Sequence, residues 1–213
     1  FGIVFYDLKG NPGYANWIAD IRFPSVDDVD VSRFYDEDGN LTLPFAPLNP
    51  DQEITGVTYG NNIFDYEDEA WEKTYRVNLK APYELTRKVA QKMRKTGGSV
   101  VNITSLNAEL AFPDNPAYVT FKGALKQLTK SLALDLGKYN IRVNNVGPGY
   151  IRTNMTKKGW AHNKKKIEDR TILGRWGVPK DIAGPVVFLL SPAASYITGQ
   201  DLYVDGGWLT KGL

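Results

Sequence analysis

The sequence contains no cysteine, one histidine and two methionines among 213 residues. Without cysteine there is no disulfide framework, no thiol nucleophile and no zinc–thiolate site. With His162 as the only histidine, a mechanism that needs two is excluded, and a Ser-His-Asp triad would have to use that residue. No sign of charge dominates either. The balance of 26 basic and 24 acidic side chains leaves a net charge of +2, which gives no basic footprint for nucleic acid. The longest nearly unbroken apolar run, Ile182 to Leu190, contains Pro185 and falls far short of a membrane span. Neither nucleic acid nor membrane is therefore expected as a partner, and no metal site is expected. What is present, 42% hydrophobic and 23% charged residues, matches a globular protein, and the length suits one core. A single domain, 1–213, is the expectation.

Apolar runs and breakers divide the chain. Gly2 to Asp7 reads as a buried strand followed by a turn at Gly10, Asn11, Pro12 and Gly13. Asn16 to Asp20 is a weaker strand candidate. From Phe23 to Asn61 acids alternate with Pro24, Pro44, Pro47 and Pro50, a loop-like composition with one strand candidate at Glu53 to Tyr59, long for a connection in a compact domain. From Asp68 to Lys95 the periodicity is helical, with Trp71, Tyr75, Leu79, Leu85, Val89 and Met93 spaced for one face and Pro82 set to kink or divide the helix. Ser99 to Ile103 reads as a strand. Asn115-Pro116 opens a helix that Gly137 closes. Ile141 to Val146 is a strand ending at Gly147-Pro148-Gly149, a polar lysine-rich stretch follows, Pro179 to Leu190 is a helix, and Asp201 to Val204 a last strand. Alternating helices and apolar strands predict a parallel sheet covered on both faces.

Tyr118 and Lys122 lie four residues apart on the second helix and so share a face. An ammonium beside a phenol favours the phenolate and draws its pKa down from about 10, which gives an acid–base group usable near neutrality. By itself the spacing also fits an exposed lysine lying over a tyrosine. The context gives it chemistry. Ser105 stands at the end of a strand thirteen residues before Tyr118, and Asn78 lies inside the first long helix, forty residues before it.

Together with Val77-Asn78-Leu79, Asn102-Ile-Thr-Ser105, Tyr118-Val-Thr-Phe-Lys122, Ile141-Arg-Val-Asn144, Pro148-Gly149 with Thr153, and Ile197-Thr-Gly-Gln200 through Val204-Asp-Gly-Gly207, these residues resemble the short-chain dehydrogenase/reductase family, in its order and spacing from about Asn62 to the C-terminus. The resemblance implies a Rossmann-like, three-layer α/β fold with a doubly wound parallel sheet. It implies an NAD(P)-dependent oxidoreductase that interconverts a secondary alcohol and a ketone. Tyr118 would be the general acid–base. Lys122 would hold the cofactor ribose and depress the tyrosine's pKa. Ser105 would hydrogen-bond the substrate oxygen, and Asn78 would hold a proton-relaying water. Thr153 and the backbone near Ile151, beyond Pro148-Gly149, would fix the nicotinamide carboxamide. Asn78 could otherwise satisfy helix backbone before Pro82, and Ser105 could cap a turn.

The family's cofactor site begins with a strand and a glycine-rich turn that lets backbone N–H groups approach a pyrophosphate. Thr55-Gly-Val-Thr-Tyr-Gly60 imitates half of it, but Asn62 replaces the last glycine, and we reject it as a phosphate loop. Phe1 to Asp7 instead looks like the family's second strand, whose terminal acid, Asp7, grips the adenosine ribose. Asp20-Ile21 resembles the acidic pair that meets the adenine. On this expectation the sequence starts late, lacking the first strand–loop–helix unit, with 1–61 an incomplete cofactor part and 62–213 the catalytic part. Asp7 would favour NAD over NADP, which stays possible, by repelling a 2′-phosphate; a turn-forming aspartate is the other reading.

The stretch Met155 to Trp176 corresponds to the family's variable flap over the substrate. Its lysines, with Arg152 and His162, could attract an acidic small molecule such as a sugar acid, or simply form a solvated face. Polyol dehydrogenases and 3-oxoacyl reductases are the other likenesses. A different class of function, a catalytically silent relative serving as a binding or scaffold subunit, follows from the missing phosphate loop. Dimers or tetramers built on the two long helices are implied by the family, with Leu125, Leu128, Leu132 and Leu134 offering apolar surface. A cytoplasmic location is expected.

Overall fold

Gly98–Ile103 (β3), Ile141–Pro148 (β4) and Asp201–Val204 (β5), the first two supplying valines and isoleucines, form the parallel part of a five-stranded sheet. The computed structural model describes residues 3–6, 12–16, 63–153 and 156–211. Two further strands, Ile3–Tyr6 (β1) and Pro12–Asn16 (β2), complete the order β2-β1-β3-β4-β5. Gly98 pairs with Ile141 and Ile103 with Val146; Asn145 pairs with Asp201 and Pro148 with Val204.

The β1–β2 end departs from the expected second parallel strand. β1 pairs antiparallel with both β2 and β3, and Tyr6 lies opposite Ser99 at the start of β3. A hairpin needs only a tight connection, whereas a parallel strand needs a crossover of about a dozen residues; residues 7–11 are too few for one. Pro12 and Gly13, read from the sequence as part of a turn, instead open β2; of the strand candidate Asn16–Asp20 only Asn16 is described, as the last residue of β2, and the candidate at 53–59 lies outside the described residues.

Alternation along β3 and β4 sends Val100 and Val143 to one face and Val101 and Val146 to the other. On the first face they pack with Ala90 and Met93 of Ala81–Met93 (α2) and with Ala133 of Pro116–Gly137 (α3). On the second they pack with Ile182, Val186, Leu189 and Leu190 of Pro179–Leu190 (α5). The result is the three-layer, Rossmann-like architecture expected, with α2, α3, α5 and the parallel strands placed within about two residues of the sequence reading.

Asp68–Tyr75 (α1) passes into α2 through a π-helical turn, Arg76–Lys80. The Ala81 N–H reaches the carbonyl of Arg76, five residues back, and Pro82 follows with no N–H to continue the ladder. Proline therefore acts one turn upstream, widening the helix rather than breaking it. The buried stripe is Thr74, Asn78, Thr86, Ala90 and Met93; of the apolar positions that the periodicity favoured, Met93 is buried and Leu85 and Val89 pack beside it, while Trp71 and Tyr75 turn sideways and meet Phe121 of α3 at ring separations of 4.9 and 5.5 Å.

The lysine-rich stretch forms a helix, Lys157–Arg170 (α4). Among its described side chains only Ile167 is buried, which explains why no apolar period marks it. Ile167 joins Leu106, Trp176 and Trp208 in a third cluster with Phe112, Tyr150 and Trp160 at its margin. Asp181, three residues into the start of α5, accepts the Val178 N–H at 2.8 Å and the Arg175 guanidinium through both oxygens at 2.7 and 2.9 Å. That fork, with the backbone donor, holds the Asp181 carboxyl down at about 2.

Candidate active site

In an open parallel sheet, ligand-binding crevices lie beyond the carboxyl ends of the strands. β3 ends at Ile103 and leads through Thr104 into Ser105, which opens the 3₁₀ turn Leu106–Ala108. The Ser105 hydroxyl accepts the Asn107 N–H at 3.2 Å and donates to Asn107 Oδ1 at 3.1 Å. Helix α3 packs against this turn, and its first turns carry Tyr118 and Lys122. The turn-capping role considered for Ser105 is thus real; it uses one lone pair and the hydroxyl proton and leaves the side chain at the strand end.

Lys122 is 1% exposed. Its Nζ donates to the carbonyl of Ile103 at 2.9 Å and stands 5.4 Å from the centre of the Tyr118 ring. No surface lysine drapes over a tyrosine here. Burial pulls the Lys122 ammonium down to about 7, so its charge is in play near neutrality.

Asn78 is 2% exposed. Its Nδ2 donates to the Thr74 carbonyl at 3.0 Å, satisfying helix backbone as one reading foresaw, but its Oδ1 is buried with no partner among the described residues. An unpaired buried acceptor costs about 1–3 kcal/mol unless something polar reaches it, which suits a residue set aside for water. The π-turn is what turns this position inward.

At the end of β4, Pro148 and Gly149 carry the chain past Asp205. A Cβ on Gly149 would lie 2.6 Å from the Asp205 Cα, so glycine permits this close crossing. Ile151 bridges Gly177, and Thr153 sits partly buried. Thr156 was missed by the sequence reading. Although it precedes α4, its hydroxyl caps nothing there. It donates to the Ile151 carbonyl at 2.6 Å and accepts the Thr153 N–H at 2.9 Å. A hydroxyl residue just before a lysine-rich run was the available signal.

Asn78 and Ser105 are thus carried by turns that each pack against α3, the helix of Tyr118 and Lys122, and the 148–153 segment leaves the neighbouring parallel strand at the same edge of the sheet. An amide acceptor without a partner, a buried lysine beside a phenol, and hydroxyl and backbone groups past β4 form a donor set that fits a nicotinamide nucleotide. Asp7, Asp20 and Ile21 lie outside the described residues.

Residues 54–209 match the family described as Enoyl-(Acyl carrier protein) reductase. The chain belongs to the short-chain dehydrogenase/reductase family. Over 160 residues, 73% of this chain and 63% of the relative, it is 35% identical to 2-dehydro-3-deoxy-D-gluconate 5-dehydrogenase of Dickeya dadantii. It is 42% identical over 171 residues, 79% of this chain and 59% of the relative, to dehydrogenase/reductase SDR family member 4 of Homo sapiens. Among solved structures it resembles a gluconate 5-dehydrogenase from Burkholderia cenocepacia in complex with NADP and tartrate, with a TM-score of 0.70 and 33% identity over 74% of this chain and 63% of that one. A 4-hydroxyisoleucine dehydrogenase complexed with NADH gives a TM-score of 0.69 and 38% identity over 72% and 65%. This short-chain dehydrogenase/reductase sequence spans about 60% of the length of the curated relatives it matches.

Proposed function

We propose that the protein is an NAD(P)-dependent oxidoreductase that interconverts a secondary alcohol and a ketone, with Tyr118 as general acid–base. The burial of Lys122 beside Tyr118, anchored where β3 opens into Ser105, carries this reading. In the oxidative direction the Tyr118 phenolate accepts the hydroxyl proton of the substrate while the carbinol carbon gives up hydride. Ser105 holds the reacting oxygen. A charged Lys122 lowers the cost of the phenolate, and the Asn78 Oδ1 receives the water that returns the proton to solvent. The bound nicotinamide supplies or accepts the hydride. Lys122 would hold its ribose, and Pro148, Gly149, Ile151 and Thr153 its carboxamide end; Asp7, Asp20 and Ile21 remain the adenosine-side assignment, with NAD favoured and NADP possible.

The substrate is read as a sugar acid or polyol. Relatives named for dehydro-deoxygluconate and rhamnose support this, as do the cations held over aromatic rings beside the Ile151–Thr153 loop: Arg152 and Lys164 lie 5.6 and 5.5 Å from the centre of the Trp160 ring. Homo-oligomerisation is part of the same reading. A groove of 450 Å³ between the π-turn and α3, lined by Tyr75, Leu79, Tyr83 and Leu128 among others, offers the surface for it. Of the leucines considered, Leu125 is core and Leu134 is 83% exposed. No helix among the described residues is long and apolar enough to cross a membrane; the cytoplasm, where nicotinamide nucleotides are supplied, is the proposed location.

The test is oxidation of NADH and NADPH by the full-length protein with 5-keto-D-gluconate, and the reverse with D-gluconate and L-rhamnose. Turnover is expected, and Tyr118→Phe is expected to abolish it while NADH binding, followed by fluorescence, persists. Full activity in Tyr118→Phe would refute the assignment.

A further inference from the structure

We infer that Asn107 is a positioning residue that sets the direction of the Ser105 hydroxyl proton, and that its side-chain amide lets one serine serve both the alcohol and the ketone; this rests on the dehydrogenase reading above. A serine hydroxyl has one proton and two acceptor positions. Here one acceptor position takes the Asn107 N–H at 3.2 Å, and the proton goes to Asn107 Oδ1 at 3.1 Å. A lone pair is then all that Ser105 has left to offer. It complements the O–H of an alcohol and repels the lone pairs of a carbonyl.

Rotating the Asn107 side-chain amide by half a turn reverses the match. Its NH₂ group then donates to the second Ser105 lone pair, and the hydroxyl proton is released toward a carbonyl oxygen. Asparagine is suited to this because it presents a donor and an acceptor of nearly the same shape on one planar group. Aspartate, an acceptor only when ionised, could keep the proton but never release it. Alanine could do neither. Asn107 is partly buried within the 3₁₀ turn, and its N–H bond to Ser105 keeps the side chain in reach whichever way the amide points.

The consequence is for binding in each redox state. The ratio of forward to reverse kcat/KM is fixed by the reaction's equilibrium, so Asn107 cannot favour one direction there; it can alter the affinities of the two states separately. Inhibition by 5-keto-D-gluconate in the presence of NAD, and by D-gluconate in the presence of NADH, reads them one at a time. In Asn107→Asp the ketone is expected to weaken about tenfold while the alcohol changes by less than about threefold. In Asn107→Ala the two are expected to shift by a common factor. Equal shifts of ketone and alcohol in Asn107→Asp would overturn the inference.

A second readout is independent of turnover. In protein labelled with ¹⁵N-asparagine, the side-chain amide resonance of Asn107, identified by its loss in Asn107→Ala, is expected to move in Ser105→Ala. An unmoved resonance in an active protein overturns the Asn107 assignment and leaves the dehydrogenase reading intact. A moved resonance in a wild-type protein without turnover on any of the sugar substrates overturns the dehydrogenase reading and the redox switch built on it, leaving the Ser105–Asn107 contact as a structural fact.

Discussion

Lys122 is tethered to the main-chain carbonyl of Ile103, 2.9 Å from its Nζ. A buried ammonium held by a carbonyl dipole keeps much of its desolvation penalty, which is why it is drawn from an ordinary 10.5 to about 7. The sign of the stability effect follows. Between about 10 and about 7 the unfolded chain binds a proton at this lysine that the folded chain refuses. Stability should therefore fall as the pH is lowered through that window, and the missing slope should identify Lys122→Met. Urea midpoints of both proteins at several pH values across the window measure it; parallel pH profiles would show that Lys122 keeps its charge when folded.

Pro82 offers a second test, because it is the residue that leaves the π-turn without its next donor. Pro82→Ala restores an N–H, allows the turn at Arg76–Lys80 to tighten into regular helix, and swings Asn78 away from the interior. Turnover is expected to drop about tenfold from misplacement alone, with the melting temperature unchanged or raised. A variant that melts earlier and keeps its rate would assign Pro82 to stability and not to the site.

Thr129 joins three elements by side-chain bonds. It accepts from Asn102 Nδ2 and donates to Asn145 Oδ1, each at 2.7 Å, and Asn145 Nδ2 continues to Asp201 Oδ1 at 2.7 Å. Thr129→Val has the same shape and strands two buried partners, at a cost of about 3 kcal/mol. Thr129→Ser keeps both bonds and should lose less than about 1 kcal/mol. Urea unfolding of the two variants separates the polar contribution from the methyl group.

The glycines differ sharply from one another. A Cβ at Gly149 would press within 2.6 Å of the Asp205 backbone, and Asp205 in turn receives the Gly207 and Leu209 N–H groups at 2.8 and 2.9 Å. Gly149→Ala should cost about 2 kcal/mol and weaken NADH binding. Gly159, in α4, has open space where its Cβ would be, so Gly159→Ala should be neutral or stabilise by up to about 1 kcal/mol. Chemical denaturation together with NADH titration tests both.

Much of this is legible in the sequence. Tyr118, Lys122 and Ser105 announce themselves because spacing on a helix and position at a strand end are properties of the string of residues. β3, β4, α3 and α5 were equally plain, since their branched runs and their Pro and Gly limits act locally. The anchor of Lys122 was not, because a carbonyl belongs to the backbone and any residue at 103 would provide it. The π-turn was half visible: Pro82 foretold an irregularity, but which residue it turned inward depends on the packing of α3. Asn102, Thr129 and Asn145 were visible only as polar residues in otherwise apolar elements. The antiparallel β1–β2 hairpin escaped because pairing direction is a property of connection length and neighbours, not of a four-residue run.

The Thr129 hub also orders events in time. Its bonds span 27, 16 and, through Asn145, 56 residues of sequence, and contacts that distant form only after the intervening loops have closed. On a ribosome, Asp201 emerges long after Tyr118 and Lys122 are already out. The helix that carries the tyrosine and lysine is therefore fastened at its middle only once Asn145 has emerged, and a nascent chain stopped short of β5 would display its chemistry-bearing residues with Asn145 still lacking its Asp201 partner.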